Sequence, residues 1–112
     1  MSTLTKVLER NISQIEKNAN MKEGRFRLGH HLMPPVGWLN DPNGLCWYKG
    51  RYHVFFQYAP FDVEGGLKFW GHYTSEDLLD WKYEGTALYP DSSYDCHGVY
   101  SGSSLIDQDK MH

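Results

Sequence analysis

A chain of 112 residues is long enough for one ordinary domain and short for two. Its formal charge of -3 and pI near 6.0 provide no basic field to hold a phosphate backbone, which argues against nucleic acid as a partner. Aromatic residues make up 15% of the chain, and flat rings suit both strand faces and the C–H faces of sugars.

The first twenty residues are polar and lack the apolar core of a signal peptide. No apolar run approaches the ~20 residues that a membrane span needs, so a cytoplasmic protein without a membrane partner is expected. Cys46 and Cys96 share no CxxC spacing and read as free thiols. Leu4, Val7, Leu8, Ile12, Ile15 and Ala19 recur at helical spacing. Ser2 or Thr3 can cap the start, and Asn18, Asn20 and Gly24 offer a stop. Residues 1–24 are therefore predicted to be an N-terminal extension, a short amphipathic helix packed on the body of the protein.

From Arg25 the character changes to short aromatic and β-branched runs separated by turn residues. WLNDPNG comes first, and Asp41, Pro42, Asn43 and Gly44 suit a type I turn, with Asp41 kept extended by the proline that follows. A hairpin follows: Leu45 to Tyr48, a turn at Lys49-Gly50, then Arg51 to Tyr58, stopped by Pro60. LKFWGHYTS is the third strand candidate. TALYP is a short fourth after a polar SEDLLDWKYEG connection, and GVYSGSSLI is a further one, ending in a DQDK turn without a returning partner. Residues 25–112 thus read as antiparallel all-β and as an incomplete domain, the first part of a longer protein. Its exposed sheet edges would favour oligomerisation.

Asp41 is the residue most open to a chemical reading. Asn40 beside it offers donors and acceptors, and an antiparallel return brings Gln57 back near its level. His72, set in Trp70-Gly71-His72, reads more simply as a packed, hydrogen-bonded histidine than as a catalytic one. The six histidines show no HExxH or paired ligand spacing, so no metal is expected. GVYSGSS is not a GxSxG elbow, and no Walker or dinucleotide fingerprint occurs, so no cofactor is expected.

HLMPPVGWLNDPNG, YHVFFQYAPF, LKFWGHYTSEDLLDWKYEGTALYPD and DCHGVYSGSS, in that order and spacing, resemble the opening motifs of glycoside hydrolase family 32. That family comprises invertases, sucrose-6-phosphate hydrolases and fructanases. The resemblance implies a five-bladed β-propeller with an axial funnel, of which this chain would form the first blade and the start of the second. It further implies that Asp41 is the nucleophile of a retaining mechanism acting on the terminal fructosyl unit of sucrose or sucrose 6-phosphate. By the same matching, Asn40 and Gln57 bind fructose, Trp38 and Trp70 form the pocket wall, and Tyr100 and Ser101 stand at the substrate.

Two departures from the family pattern stand out. Gly65 occupies a position where many members have Trp, which changes the side of the pocket away from the fructose. The family's RDP and EC motifs, which carry the transition-state stabiliser and the acid/base, do not occur in these 112 residues, so the isolated chain is expected to be inactive. A fructan hydrolase and a non-catalytic, carbohydrate-binding partial propeller are the alternatives. A scaffold propeller, suggested by WGH and LLDW, leaves the interval between WLNDPNG and FFQ unexplained.

Overall fold

The computed structural model describes residues 3–21, 32–62, 64–93 and 97–112. Ser2, Gly24, Cys96 and the boundary expected after residue 24 lie outside them. One helix, α1 (Thr3–Met21), precedes a four-stranded antiparallel meander of β1 (Trp38–Tyr48), β2 (Arg51–Ala59), β3 (Phe69–Ser75) and β4 (Lys82–Leu88), hydrogen-bonded in that order. A separate two-stranded ribbon, β5 (Ile106–Asp107) and β6 (Lys110–Met111), closes the described chain.

The hairpin forms where the turn chemistry put it. Lys49 and Gly50 both take positive φ, +48° and +78°, which matches a two-residue connection whose twist suits the flanking strands. β2 alternates cleanly. Val54, Phe56 and Tyr58 face one side and join Phe69 and Tyr73 of β3 and Ile12 of α1 in the core.

Helix α1 docks through a narrower stripe than its apolar periodicity suggested. Thr5, Leu8, Ile12 and Glu16 lie within about one quarter of the helical circumference, so these meet the sheet while Leu4 and Val7 stay exposed. Two of the four are polar and are matched across the contact: the Thr5 hydroxyl donates to the Asp91 carboxylate, and Tyr58 and Tyr83 donate to Glu16 at 3.0 and 2.9 Å. Burial pushes the Glu16 carboxyl above its ordinary range, with the hydrogen bonds from Tyr83 and Tyr58 pulling the other way. The same burial, with Glu16 facing them, raises the two phenols.

Three predicted elements differ from the sequence reading. WLNDPNG is not a turn ahead of a strand but lies inside β1. An edge strand tolerates Pro42 because its missing N–H can face away from the ladder, and β2 extends far enough to pair with Trp38 to Asn40, Pro42 and Asn43. β4 begins at Lys82, so KYEG belongs to the strand and Tyr89-Pro90 follows it. The polar connection shortens to residues 76–81, where the Asp77 carboxylate accepts the N–H groups of Leu79 and Asp80, both at 2.9 Å. GVYSGSSLI is largely not a strand, because its backbone and hydroxyls are spent on β1 and Trp70. The strand does find a partner, since Ile106 pairs with Met111 around Gln108 and Asp109, both at positive φ.

Gly71 faces Phe56 across β2 and β3, and a Cβ there would lie 2.2 Å from the ring tip. Gly71→Ala is expected to lower stability by ~2 kcal/mol or more through overpacking. Urea unfolding checks this, and adding Phe56→Leu should recover part of the loss by making room.

Candidate active site

Asn40 pairs with Gln57 and Pro42 with Phe56, which leaves Asp41 as an extra residue without a partner on β2. In unbroken register residue 41 would oppose Phe56 and share the core side with Leu39. The bulge instead brings Asp41 out to solvent. Its backbone is not extended, as the following proline suggested, but has φ +41°. Asp is among the few residues that tolerate this region, and the Asn43 amide secures the kink by donating to the Asp41 carbonyl at 2.6 Å. A second register shift between Asn43 and Cys46 lets the strand rejoin its partner.

The sheet face opposite the core carries the other expected residues in a row. Asn40 faces Gln57, and Gln57 faces Trp70. Gln57 is only 4% exposed, yet among the described residues no hydrogen bond takes up its amide. An amide beside an exposed carboxylate is suited to hydroxyl recognition.

The segment following Gly98 is fastened over this row at four points. The indole N–H of Trp70 donates to the Tyr100 carbonyl at 2.9 Å, and the Ser101 hydroxyl donates to an Asp41 carboxylate oxygen at 3.1 Å. The Gly102 N–H reaches the Asn43 side-chain oxygen at 3.2 Å, and the Ser104 hydroxyl donates to the Gly44 carbonyl at 2.9 Å. Ser101 and Asp41 thus meet across 60 residues of chain.

The structure does not unite every expected residue in one pocket. Trp70 is 8% exposed, tilted against Phe55 with its N–H on the Tyr100 carbonyl, and it lines a cavity of about 270 Å³ with Leu88 and Ser104, in which Asp41 has no part. Tyr100 is 67% exposed and lines a cavity of about 580 Å³ with Leu88, Tyr89 and Asp91, in which Asp41 has no part. Trp38 is half-buried at the other end of the row. Its indole lies where a Cβ on Gly65 would be 3.0 Å away, and the Lys68 ammonium stands 5.5 Å above it. Asn43, Ser104 and Lys68 were missed from the sequence. Asn43 reads there as a turn former, and only the bulge turns its two polar atoms to separate backbone targets.

His72 is packed rather than free. His53 Nε2 lies 3.0 Å from the Tyr48 carbonyl and so carries the proton, which leaves Nδ1 to accept from His72 Nε2 at 2.9 Å. Phe55 stacks on the His72 ring at 4.3 Å. Burial, with His53 beside it, lowers the His72 pKa to about 4, against a weaker raising influence of Glu84. Among the described residues no group of three or more His, Cys, Asp or Glu converges on a metal position.

Residues 31–112 match the family model of the glycosyl hydrolases family 32 N-terminal domain. The chain is similar to the sucrose-6-phosphate hydrolase of Bacillus subtilis (strain 168), with 54% identity over 82 residues, 73% of this chain and 17% of that protein. Among solved structures, sucrose-6-phosphate hydrolase from Lactobacillus gasseri superposes with a TM-score of 0.79 at 38% identity, over 91% of this chain and 20% of that one. A variant of the Bombyx mori GH32 beta-fructofuranosidase in complex with sucrose gives a TM-score of 0.82 at 34% identity, over 94% and 22%. The chain therefore spans about a fifth of the length of these relatives.

The half-buried His72 ring ties stability to pH. Unfolded His72 takes up a proton near 6.5 and folded His72 only near 4, so its contribution is complete above pH 6.5 and is lost as pH falls towards 4. Glu16 has the opposite sign, since its raised pKa favours the folded state at lower pH. Urea midpoints measured from pH 7 to pH 4 are expected to fall less steeply in His72→Gln than in wild type. Equal slopes would overturn the assignment.

Proposed function

The chain belongs to glycoside hydrolase family 32, whose N-terminal domain it matches, and from that membership we propose that the full-length protein removes the terminal β-D-fructofuranosyl unit of sucrose or sucrose 6-phosphate. In this reading it does so in the cytoplasm and with retention of configuration, the Asp41 carboxylate attacking the anomeric carbon of the fructosyl unit. The glycosidic oxygen departs with a proton from an acid/base carboxyl, and water then cleaves the fructosyl–Asp41 ester.

The observation that carries this reading is the placement of Asp41. The bulge exposes its carboxylate, the Ser101 hydroxyl fixes one oxygen at 3.1 Å, and the Asn40–Gln57 pair lies alongside. One oxygen held by Ser101 leaves the other to attack. Asn40 and Gln57 offer amides to the fructose hydroxyls, and Trp38 offers an apolar ring face. Trp70 and the Tyr100 carbonyl serve by holding Ser101 in place.

Retaining hydrolysis needs two carboxyl groups about 5 Å apart, and the motif that carries the second in the family does not occur in these 112 residues. The acid/base belongs to a further part of the polypeptide, and the isolated chain is proposed to be inactive. Residues 1–24 are proposed as an extension and 25–112 as the opening of the propeller. The end of α1 at Met21 and the start of the family match at residue 31 support a boundary between them.

In the full-length protein Asp41→Asn is expected to cut fructose release from sucrose at least ~10³-fold, since no other group replaces the nucleophile. Undiminished turnover would refute the assignment. Ser101→Ala removes one hydrogen bond to a charged group and is expected to cost about tenfold in kcat with little change in KM.

A further inference from the structure

We propose that Lys68 selects a phosphorylated sugar: its ammonium receives the phosphoryl group of a substrate whose fructosyl unit sits at Asp41, favouring sucrose 6-phosphate over sucrose. This rests on the fructosidase reading of Asp41.

Position comes first. Lys68 immediately precedes β3, two residues before Trp70, and Trp38 lies two residues before Asn40 on β1. The Lys68–Trp38 contact is therefore one alternation along the strands from the Asn40–Gln57–Trp70 row, about 7 Å at the usual rise. A disaccharide phosphate anchored by its fructose needs its cation at such a remove from the nucleophile, not beside it.

The ammonium is also held ready. It donates to the Gly65 carbonyl at 3.2 Å and stands over the Trp38 ring, while the Val99 N–H fixes the Lys68 backbone by donating to its carbonyl at 2.9 Å. One of three donors is spent, and two remain. Among the described residues no carboxylate forms an ion pair with it. The two ion pairs found there, Arg51–Glu76 and Lys82–Glu84, involve other residues, and the nearby Asp62 carboxylate accepts the Glu64 N–H.

Gly65 makes the arrangement possible. Its φ of +88° is costly for any side chain, and a Cβ would come within 3.0 to 3.2 Å of three atoms of the Trp38 indole. A large residue there would displace either the ring or the ammonium above it. The glycine that departs from the family pattern thereby gains a role, as the gap into which Trp38 settles beneath a cation.

A phosphate takes charge-assisted hydrogen bonds from such an ammonium that a neutral hydroxymethyl group takes far more weakly. In the full-length protein, Lys68→Gln is expected to lower the ratio of kcat/KM for sucrose 6-phosphate to that for sucrose by roughly tenfold or more. The change should appear chiefly as a raised KM for sucrose 6-phosphate, with Lys68→Arg restoring most of the ratio. Inorganic phosphate, titrated while the Trp38 indole N–H signal is followed by NMR, should shift that signal in wild type and not in Lys68→Gln. A ratio unmoved by Lys68→Gln overturns the role of Lys68 and leaves the fructosidase reading standing. Absence of fructose release from either sugar by wild type overturns that reading instead, and the phosphate titration then decides whether Lys68 binds the anion.

Discussion

A single unpaired residue in β1 is the constraint on which the site depends. Strand side chains alternate, so a residue between Leu39 and Phe56's partner would by default turn a carboxylate into an apolar core. The bulge at Asp41 prevents that while the strand continues on both sides. Pairing before it fixes Asn40 against Gln57, and pairing after it returns Asn43 to the same face as Phe55. The kinked backbone is then held from inside by the Asn43 amide and from outside by Ser101.

The two faces of the sheet divide the work. One buries Val54, Phe56, Tyr58, Phe69 and Tyr73 under α1, where Glu16 and two tyrosines satisfy one another in the contact. The other carries the polar row, and its aromatic residues act as supports: Phe55 holds His72 and leans on Trp70, whose N–H in turn holds Tyr100. Rigid packing on the first face keeps the spacing of the second, because residues of both faces share the same two strands.

Much of this was legible in the sequence where one physical signal acted alone. The Lys49-Gly50 turn was, because two adjacent positive φ values leave few suitable residue pairs. The helix was too, although its docking face was misjudged: Leu4 and Val7 lie off the stripe that Thr5 and Glu16 complete with polar contacts. WLNDPNG was misread as a turn because residues that suit turns also suit bulges, and only pairing with β2 distinguishes the two. GVYSGSSLI looked like a strand because its alternation is real, but its polar groups bond to β1 and Trp70 instead of forming a ladder.

The sequence by itself determined the family, the residue types of the candidate site and the hairpin that folds β2 back along β1; counting from its turn would set Asn40 opposite Ala59, and the two register shifts set it opposite Gln57 instead. Tertiary structure decided which of these residues meet. It brought Ser101 to Asp41 across 60 residues and set the Trp70 N–H on the Tyr100 carbonyl. It also set the Lys68 ammonium over Trp38 in the space that Gly65 leaves empty. Such contacts depend on where distant segments cross the sheet, and local pattern holds no record of that.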